Sequence, residues 1–445
     1  MGAISYWIIA MTWQVAVMIV FGSLVVLMMT GMPIAICFMF INIVGAVLVL
    51  GYPAGLDYLI QSMWSSLATF TIAPVPLFVL MGELMFHSGL GGDVVKIVDQ
   101  WLGRLPGRGS LIAVGSGVIL AALTGVSIAS VSILGAVLLP QMEKQGYHKS
   151  MIFGPILGGG GLAVLIPPSG LAVLLAAIGE ISVGKILLAI IGPGLLLAAL
   201  YAAYIIIRCV INPSLAPQYD APKVSFKEKL LNLAKNILPV TAIIFSVIGF
   251  MVLGIATPEE AAASGAIATL IVAVIQGRMT WLVLKKTILG SLRITGMIFL
   301  IIAGARGFSQ VLAYVGATQA MAQFVLQLPV HPLLIMGIMQ VVLLILGCFM
   351  DSAAIILLTM PIFVPAIISL GFDPVWFGAI SVLNIEVGLI TPPFGVALYT
   401  MKAVAPSKYT MSDVINSAAP FIFLQVFAIG LCMIFPSIPL WLPGL

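Results

Sequence analysis

The sequence predicts an all-α polytopic membrane protein built as two inverted repeats, each with five crossings and one re-entrant hairpin. Three observations point there. First, 62% of the 445 residues are hydrophobic and 7% are charged, with a mean hydropathy of +1.26. A soluble chain carries about 25% charged residues, so a water-facing surface could not be covered here. Second, the apolar runs are about 20 residues long and unbroken, where a membrane β-barrel shows weak alternation. Third, the punctuation of the first half returns 225 residues later.

Composition also excludes a soluble enzyme, a secreted disulfide scaffold and a nucleic-acid binder. The net charge of +4 is a topology signal, not a sign of a polyanionic partner. Cys37, Cys209, Cys348 and Cys432 sit in or beside apolar runs with no CxxC pair, as buried small hydrophobes do. The first basic residue is Lys96, so no cleavable leader is expected.

Hydropathy orders the chain as follows. Runs 7–29 and 33–51 are split at Thr30 to Pro33, and 69–87 is a third run. An amphipathic stretch, 88–108, carries Asp93, Lys96, Asp99, Arg104 and Arg108. The long apolar stretch 110–141, a polar corner from Glu143 to Ser150, and runs 151–180 and 186–207 complete the first half. The basic loop 208–235 includes Lys223, Lys227, Lys229 and Lys235. Runs 236–254, 258–277, 287–311, 333–368, 375–405 and 412–440 follow. The domain reading is a first repeat over 1–215, a cytoplasmic basic linker over 216–235 and a second repeat over 236–445.

At the 225-residue offset, Pro140 meets Pro365, and Pro167 and Pro168 meet Pro392 and Pro393. Gly146 meets Gly371, Gly170 meets Gly395, Ser127 meets Ser352, and Pro33 meets Pro258. Three of the four prolines between Ser127 and Ala172 land on prolines, which biased composition does not explain.

Charge sets the expected topology. Arg104, Arg108, Lys144 and Lys149 flank 110–141, so both its ends lie on one side, and it enters and returns from the cytoplasm. Arms of about 15 residues are too short to span. The matching stretch 333–368 has no Lys or Arg at either base and opens from the outside. Five crossings per half then invert the second half and put both termini on the outside. Of the 18 Lys and Arg residues, all but Lys185 and Arg306 fall on or near the cytoplasmic side.

Transporters of this design bind cargo near the midplane, where helices are broken. The hairpins turn near Thr124 to Ser127 and Met350 to Ala353. The breaks read Ile166-Pro167-Pro168-Ser169-Gly170 and Thr391-Pro392-Pro393-Phe394-Gly395. A Pro-Pro pair removes two N–H donors and frees carbonyls of the preceding turn. Such carbonyls, with Ser and Thr hydroxyls, suit a small hard cation such as Na⁺, and half-helix N-termini suit an anion.

Ionisable residues in apolar runs default to function. Asp351 lies at the second tip, and Glu386 precedes the second break. Arg306 either holds a substrate carboxylate or forms a structural ion pair with Asp351 or Glu386. Glu83 reads as an interfacial group, and Glu259 and Glu260 after Pro258 as first-turn helix residues. The run Gly158 to Gly161 favours close helix approach over ligand contact. The stretch GEISVGK, 179–185, has P-loop spacing but continues into Ile186 and lacks a strand–loop–helix context. No HExxH, carboxylate pair or Ser/His/Asp grouping suggests an enzyme, and His87, His148 and His331 are scattered.

The stretches LFVLMGELMFHSG, ALTGVSIASVSILGAVLLPQMEKQGYHKS, GGGGLAVLIPPSG, EISVGKILLAIIGPGLLLA, LGCFMDSAAIILLTMPIFVPA and NIEVGLITPPFGVAL together form a specific set. From about Gly31 to the C-terminus the chain resembles the large membrane subunit of tripartite ATP-independent periplasmic (TRAP) transporters. The resemblance implies an Na⁺-driven importer of an organic acid in the bacterial inner membrane, with the elevator-type ion transporter architecture, in which the hairpins and broken helices would move against a scaffold. A soluble periplasmic substrate-binding protein would deliver the acid, and a separate small four-helix membrane subunit would complete the complex. The coupling ion is Na⁺, with no organic cofactor. One sodium site would use Gly125, Ser127 and the carbonyls around Ile166, Pro167 and Ser169. The other would use Asp351, Ser352, Thr391, Pro392 and Gly395. Substrate would lie between the tips, near Ser127, Arg306, Ser352 and Glu386.

Two departures stand out. The family's Gly-Ser-Ser at the first tip is Gly125-Val126-Ser127 here, so one hydroxyl is missing. Pro74 adds a proline ahead of Pro76 and is expected to kink that span. Dicarboxylate, keto acid and sugar acid remain open as cargo. The rival reading is a self-sufficient Na⁺-coupled carboxylate symporter that needs no binding protein.

Overall fold

The computed structural model describes residues 13–90, 94–102, 105–217, 225–317, 320, 323–324, 327, 329–348, 350, 352–393 and 395–444. Among the described residues the structure is helical, with no strand. Residues 7–12 of the first run, and Asp93, Arg104, Lys223, Asp351 and Phe394, lie outside them.

The first half contains α1 (Trp13–Met29), α2 (Ile34–Leu50), α3 (Ala54–Leu67), α4 (Pro74–Ser88) and the short α5 (Val94–Trp101). The first hairpin is α6 (Arg108–Thr124) and α7 (Ser127–Lys144). The first broken helix is α8 (Lys149–Gly161) and α9 (Gly170–Ile178), followed by α10 (Val183–Ala189) and α11 (Ile191–Ile211). The second half contains α12 (Lys227–Val252), α13 (Pro258–Ile275) and α14 (Trp281–Tyr314). Its hairpin is α15 (Pro332–Gly347) and α16 (Ser352–Ser369), its broken helix α17 (Pro374–Ile390) and α18 (Val396–Val404), and α19 (Met411–Ile434) follows. Six of these segments are long and apolar enough to cross a membrane: Val183–Ile211, α12, α13, α14, α16 and α19. Several starts fall 225 residues apart, among them Ser127 with Ser352 and Lys149 with Pro374.

Local chemistry sets the ends. Pro258 follows the N-cap Thr257, which forms a capping box with Glu260. His148 and His331 are N-caps of α8 and α15. Thr410 and Asp413 form the capping box of α19.

The structure corrects four expectations. The run 69–87 is not one span. A turn of 3₁₀ helix over Phe70–Ile72 precedes α4, and Pro74 starts that helix instead of kinking one. At N1 a missing N–H is harmless. Helix α3 was not anticipated, because Asp57, Gln61 and three serines interrupt its apolar pattern. The linker is shorter than 216–235, because a Ser225–Glu228 capping box already starts a helix at Phe226. The hairpin arms are 16 to 18 residues long, so length alone does not mark them as re-entrant.

Two half-helices form the core. Every residue of α8 from Met151 to Gly161 and of α17 from Val375 to Ile390 is buried. The four-glycine run of α8 faces four directions. A Cβ on Gly158 would meet Phe421 at 2.6 Å, and one on Gly159 would meet the Ala113 carbonyl at 2.6 Å. One on Gly160 would meet the Val131 backbone N at 2.8 Å, and Gly161 lies against Glu386. The glycines therefore serve close approach.

Each hairpin also packs on the other half. Arm α7 lies on α18, where a Cβ on Gly135 would sit 3.3 Å from the Met401 methyl. Arm α16 lies on α9, where a Cβ on Gly179 would sit 3.2 Å from Val364. At one end the Lys149–Asp413 pair (2.5 Å) joins α8 to α19. Beside it Lys408 pairs with Glu143 and holds that carboxyl below its usual range, while Glu143 raises the lysine.

Gly159→Ala should lower the melting temperature in detergent, since overpacking against backbone costs about 1–3 kcal/mol. Gly430→Ala, which meets nothing within 4 Å, should leave it unchanged or raise it slightly. Fluorescence-detected size-exclusion after heating reads both.

Candidate functional site

The first hairpin turns at Gly125-Val126. Gly125 ends α6 at φ +60°, a left-handed conformation that glycine adopts without strain. A Cβ there would also lie 2.6 Å from the carbonyl oxygen of Pro168. The tip therefore rests on the first break, where the Pro167–Pro168 bond is cis. Ser169, fully buried, caps α9 by accepting from the Ala172 N–H at 3.3 Å. Ile166 is buried beside the same break.

Ser127 follows the tip as the first residue of α7. Its hydroxyl donates to Glu386 Oε2 at 2.8 Å and also lies 3.4 Å from the Gly161 carbonyl. One hydroxyl carries one hydrogen, and the shorter contact takes it, leaving the lone pairs free.

The second hairpin turns between Gly347 and Ser352, and Asp351 there lies outside the described residues. Gly347 and Gly388 meet backbone to backbone, so α15 touches α17 close to the second break. Ser352 is 4% exposed, and its hydroxyl has no hydrogen-bond partner among the described residues. The Pro392–Pro393 bond is cis. Thr391 Oγ1 donates back to the Val387 carbonyl at 2.6 Å, and the Gly395 N–H donates to the Thr391 carbonyl at 3.1 Å.

A hard cation needs oxygen ligands. The first tip offers a hydroxyl whose hydrogen is already committed, beside a carbonyl in close approach. The second offers a buried hydroxyl with no partner. Both donor sets fit Na⁺ in kind.

Two cavities flank this centre. One, of about 270 Å³, lies between the first tip and break (Gly125, Val126, Pro168) and Glu83, Ile294 and Ile298 of α4 and α14. The other, of about 460 Å³, is lined by Arg306, Glu180, Glu259, Ser182, Ser309 and Thr69. Helix α9 runs from the first cavity to the second.

Two expectations change. Arg306 pairs with Glu180 and not with Glu386. Glu180 sits in the turn after α9 at φ +55°, where no periodic pattern marked it. Glu386 is 0% exposed and accepts a hydrogen bond from Ser127. Glu83 pairs with His87 at 3.2 Å, and it lines the cavity at the first tip, which the interfacial reading missed. Sequence reasoning also missed Gln340 and Asn384. The Asn384 amide donates to the Gln340 carbonyl (2.6 Å) and to its Oε1 (2.9 Å), tying α17 to α15.

Residues 21–438 match the family described as "Tripartite ATP-independent periplasmic transporter, DctM component". The chain belongs to that family. As a TRAP large membrane component it is 33% identical over 378 residues to the C4-dicarboxylate TRAP transporter large permease protein DctM of Pseudomonas aeruginosa, covering 84% of this chain and 86% of that one. It is 28% identical to the ectoine TRAP transporter large permease protein TeaC of Halomonas elongata, covering 96% of this chain and 99% of that one. These TRAP relatives are transporter permeases and not enzymes. The fold is similar to the crystal structure of the Alcanivorax borkumensis YdaH transporter, with a TM-score of 0.59 and 17% identity over 86% of this chain and 88% of that one. The TRAP chain is thus a multi-pass membrane protein.

Val126 is 50% exposed and Ser127 is 2% exposed. With Cys348 replaced, Val126→Cys should react quickly with a hydrophilic maleimide, and Ser127→Cys should not. Mass spectrometry of the labelled protein separates the two.

Proposed function

We propose that this TRAP large permease imports an organic acid together with Na⁺, by elevator-type alternating access of two inverted repeats. The observation that carries the reading is the seating of the first hairpin tip on a Pro-Pro break, with the tip serine and the Pro-Pro-x-Gly of the break recurring 225 positions later as Ser352 and Pro392 to Gly395. One sodium ion binds at Gly125, Ser127 and the Ile166 to Ser169 carbonyls. The second binds at Asp351, Ser352, Thr391, Pro392 and Gly395. Both ions travel as cargo. Each net positive charge crossing with the acid gains about 2.3 kcal/mol per 100 mV, about fifty-fold in accumulation.

Substrate binds between the tips, where the N-termini of half-helices favour a carboxylate. Helix α14 gives the moving body a track. Ile298 lines the cavity at the first tip, and Arg306, eight residues on, lines the other. Eight residues of helix rise about 12 Å. A shift of that size brings the tip level with Arg306, where a substrate carboxylate replaces Glu180. Both hairpins are re-entrant, the first from the cytoplasm, and both termini are periplasmic. A separate small four-helix subunit completes the membrane complex, and a periplasmic binding protein delivers the acid.

Proteoliposomes holding this chain and its small subunit test the reading with radiolabelled acids. Uptake should require both an inward Na⁺ gradient and the binding protein. Uptake driven by Na⁺ without that protein would leave a lone symporter. Ser352→Ala and Asp351→Asn should raise the Na⁺ concentration for half-maximal uptake about tenfold. Arg306→Ala should weaken apparent substrate affinity about tenfold or more, while Glu180→Gln should not. Equal losses in those two variants would make the pair structural.

A further inference from the structure

Glu386 and Gly161 occupy equivalent places in the 225-residue repeat, and they touch each other. A Cβ on Gly161 would overlap Glu386 Oε1. The glutamate thus fills the space its counterpart leaves. It then reaches across the halves to Ser127, whose hydroxyl donates to Oε2 at 2.8 Å. Ser127 is in turn the counterpart of Ser352. The equivalent contact in the other direction would join Ser352 to Gly161, which has no side chain. Accordingly Ser352 Oγ is buried without a partner among the described residues. The two tips carry the same serine in unequal surroundings.

Glu386 also lies two residues from Asn384, which holds the second hairpin through Gln340. Side chains of α17 therefore reach both hairpins. Glu386 Oε1 has no hydrogen-bond partner, so the carboxyl's bond to Ser127 is its one polar tie among the described residues.

We infer that Glu386 is a positioning residue: by taking the Ser127 hydrogen it aims that hydroxyl's lone pairs at the first cation, making the first sodium site tighter than the second. This rests on the sodium reading of the two tips. Ser127 is oriented before the ion arrives. Ser352 must give up a rotor to bind, and that ordering weakens its site.

The test is calorimetric titration of Na⁺ into the purified full-length chain with its small subunit, independent of transport. The wild type should show two unequal binding steps. Ser127→Ala should abolish the tighter step, and Ser352→Ala the weaker. Glu386→Ala should weaken the tighter step about tenfold and leave the other unchanged. Glu386→Gln keeps an oxygen that accepts from Ser127 and should retain both steps. Should Glu386→Ala fail to fold, Glu386→Met removes the acceptor while filling the space, and the same shift is expected. Equal sites in the wild type, an unchanged tighter step without the acceptor, or equal weakening of both steps would overturn the proposal. Unaltered Na⁺ binding in both serine variants would instead bring down the sodium reading on which it stands.

Discussion

A backbone carbonyl freed inside a membrane protein must find a partner, and this fold is organised around two places where carbonyls are freed. Each unsatisfied polar group in lipid costs several kcal/mol. The Pro-Pro pairs remove donors after α8 and α17, half-helices buried from Met151 to Gly161 and from Val375 to Ile390. Irregular backbone at that depth survives only inside protein or against a water-filled cavity. The hairpins meet that requirement by bringing their tips and arms against the breaks. The glycines of α8 follow from the same demand, since α6, α7, α11 and α19 must come close to cover it.

The few charges play a smaller part. Arg108–Asp99 (2.7 Å), Lys149–Asp413 and Lys408–Glu143 lie toward the ends of helices. The partly exposed Lys149 and Lys408 pairs contribute little to stability. Their role is register: the Lys149 and Lys408 pairs fasten the corner between α7 and α8 to the chain entering α19. Stability comes from packing around the two buried half-helices, where small residues let backbones approach closely.

Proline and glycine made much of this legible in advance. Both hairpin turns and both breaks fall where the sequence places them, because punctuation acts within a few residues. Gly125 ends α6 and Pro258 starts α13 for reasons local to the backbone. The gaps are tertiary. Arg306 looked towards Asp351 or Glu386 because those were the acids in apolar runs, but its partner is Glu180 in a loop. Helix α3 escaped a search for apolar runs because it is half polar. Pro74 pointed to a kink, since a proline reads the same whether it starts a helix or bends one. Glu386 was rightly singled out as costly to bury, yet no spacing reveals that its neighbour is Ser127.

The Glu386–Gly161 contact explains why two similar halves need not act alike. Where equivalent positions of a repeat meet, both residues compete for one space. Two glutamates there would set like charges in contact away from water. Two glycines would leave a void and no tie between the halves at that point. One glutamate and one glycine fill the gap once, and the single carboxyl turns to one serine alone. Two halves that share a sequence pattern therefore diverge most readily where they touch. Here that point sits beside the first break and within two residues of the side chain that holds the second hairpin. The difference made by one side chain thus lies within reach of both hairpins.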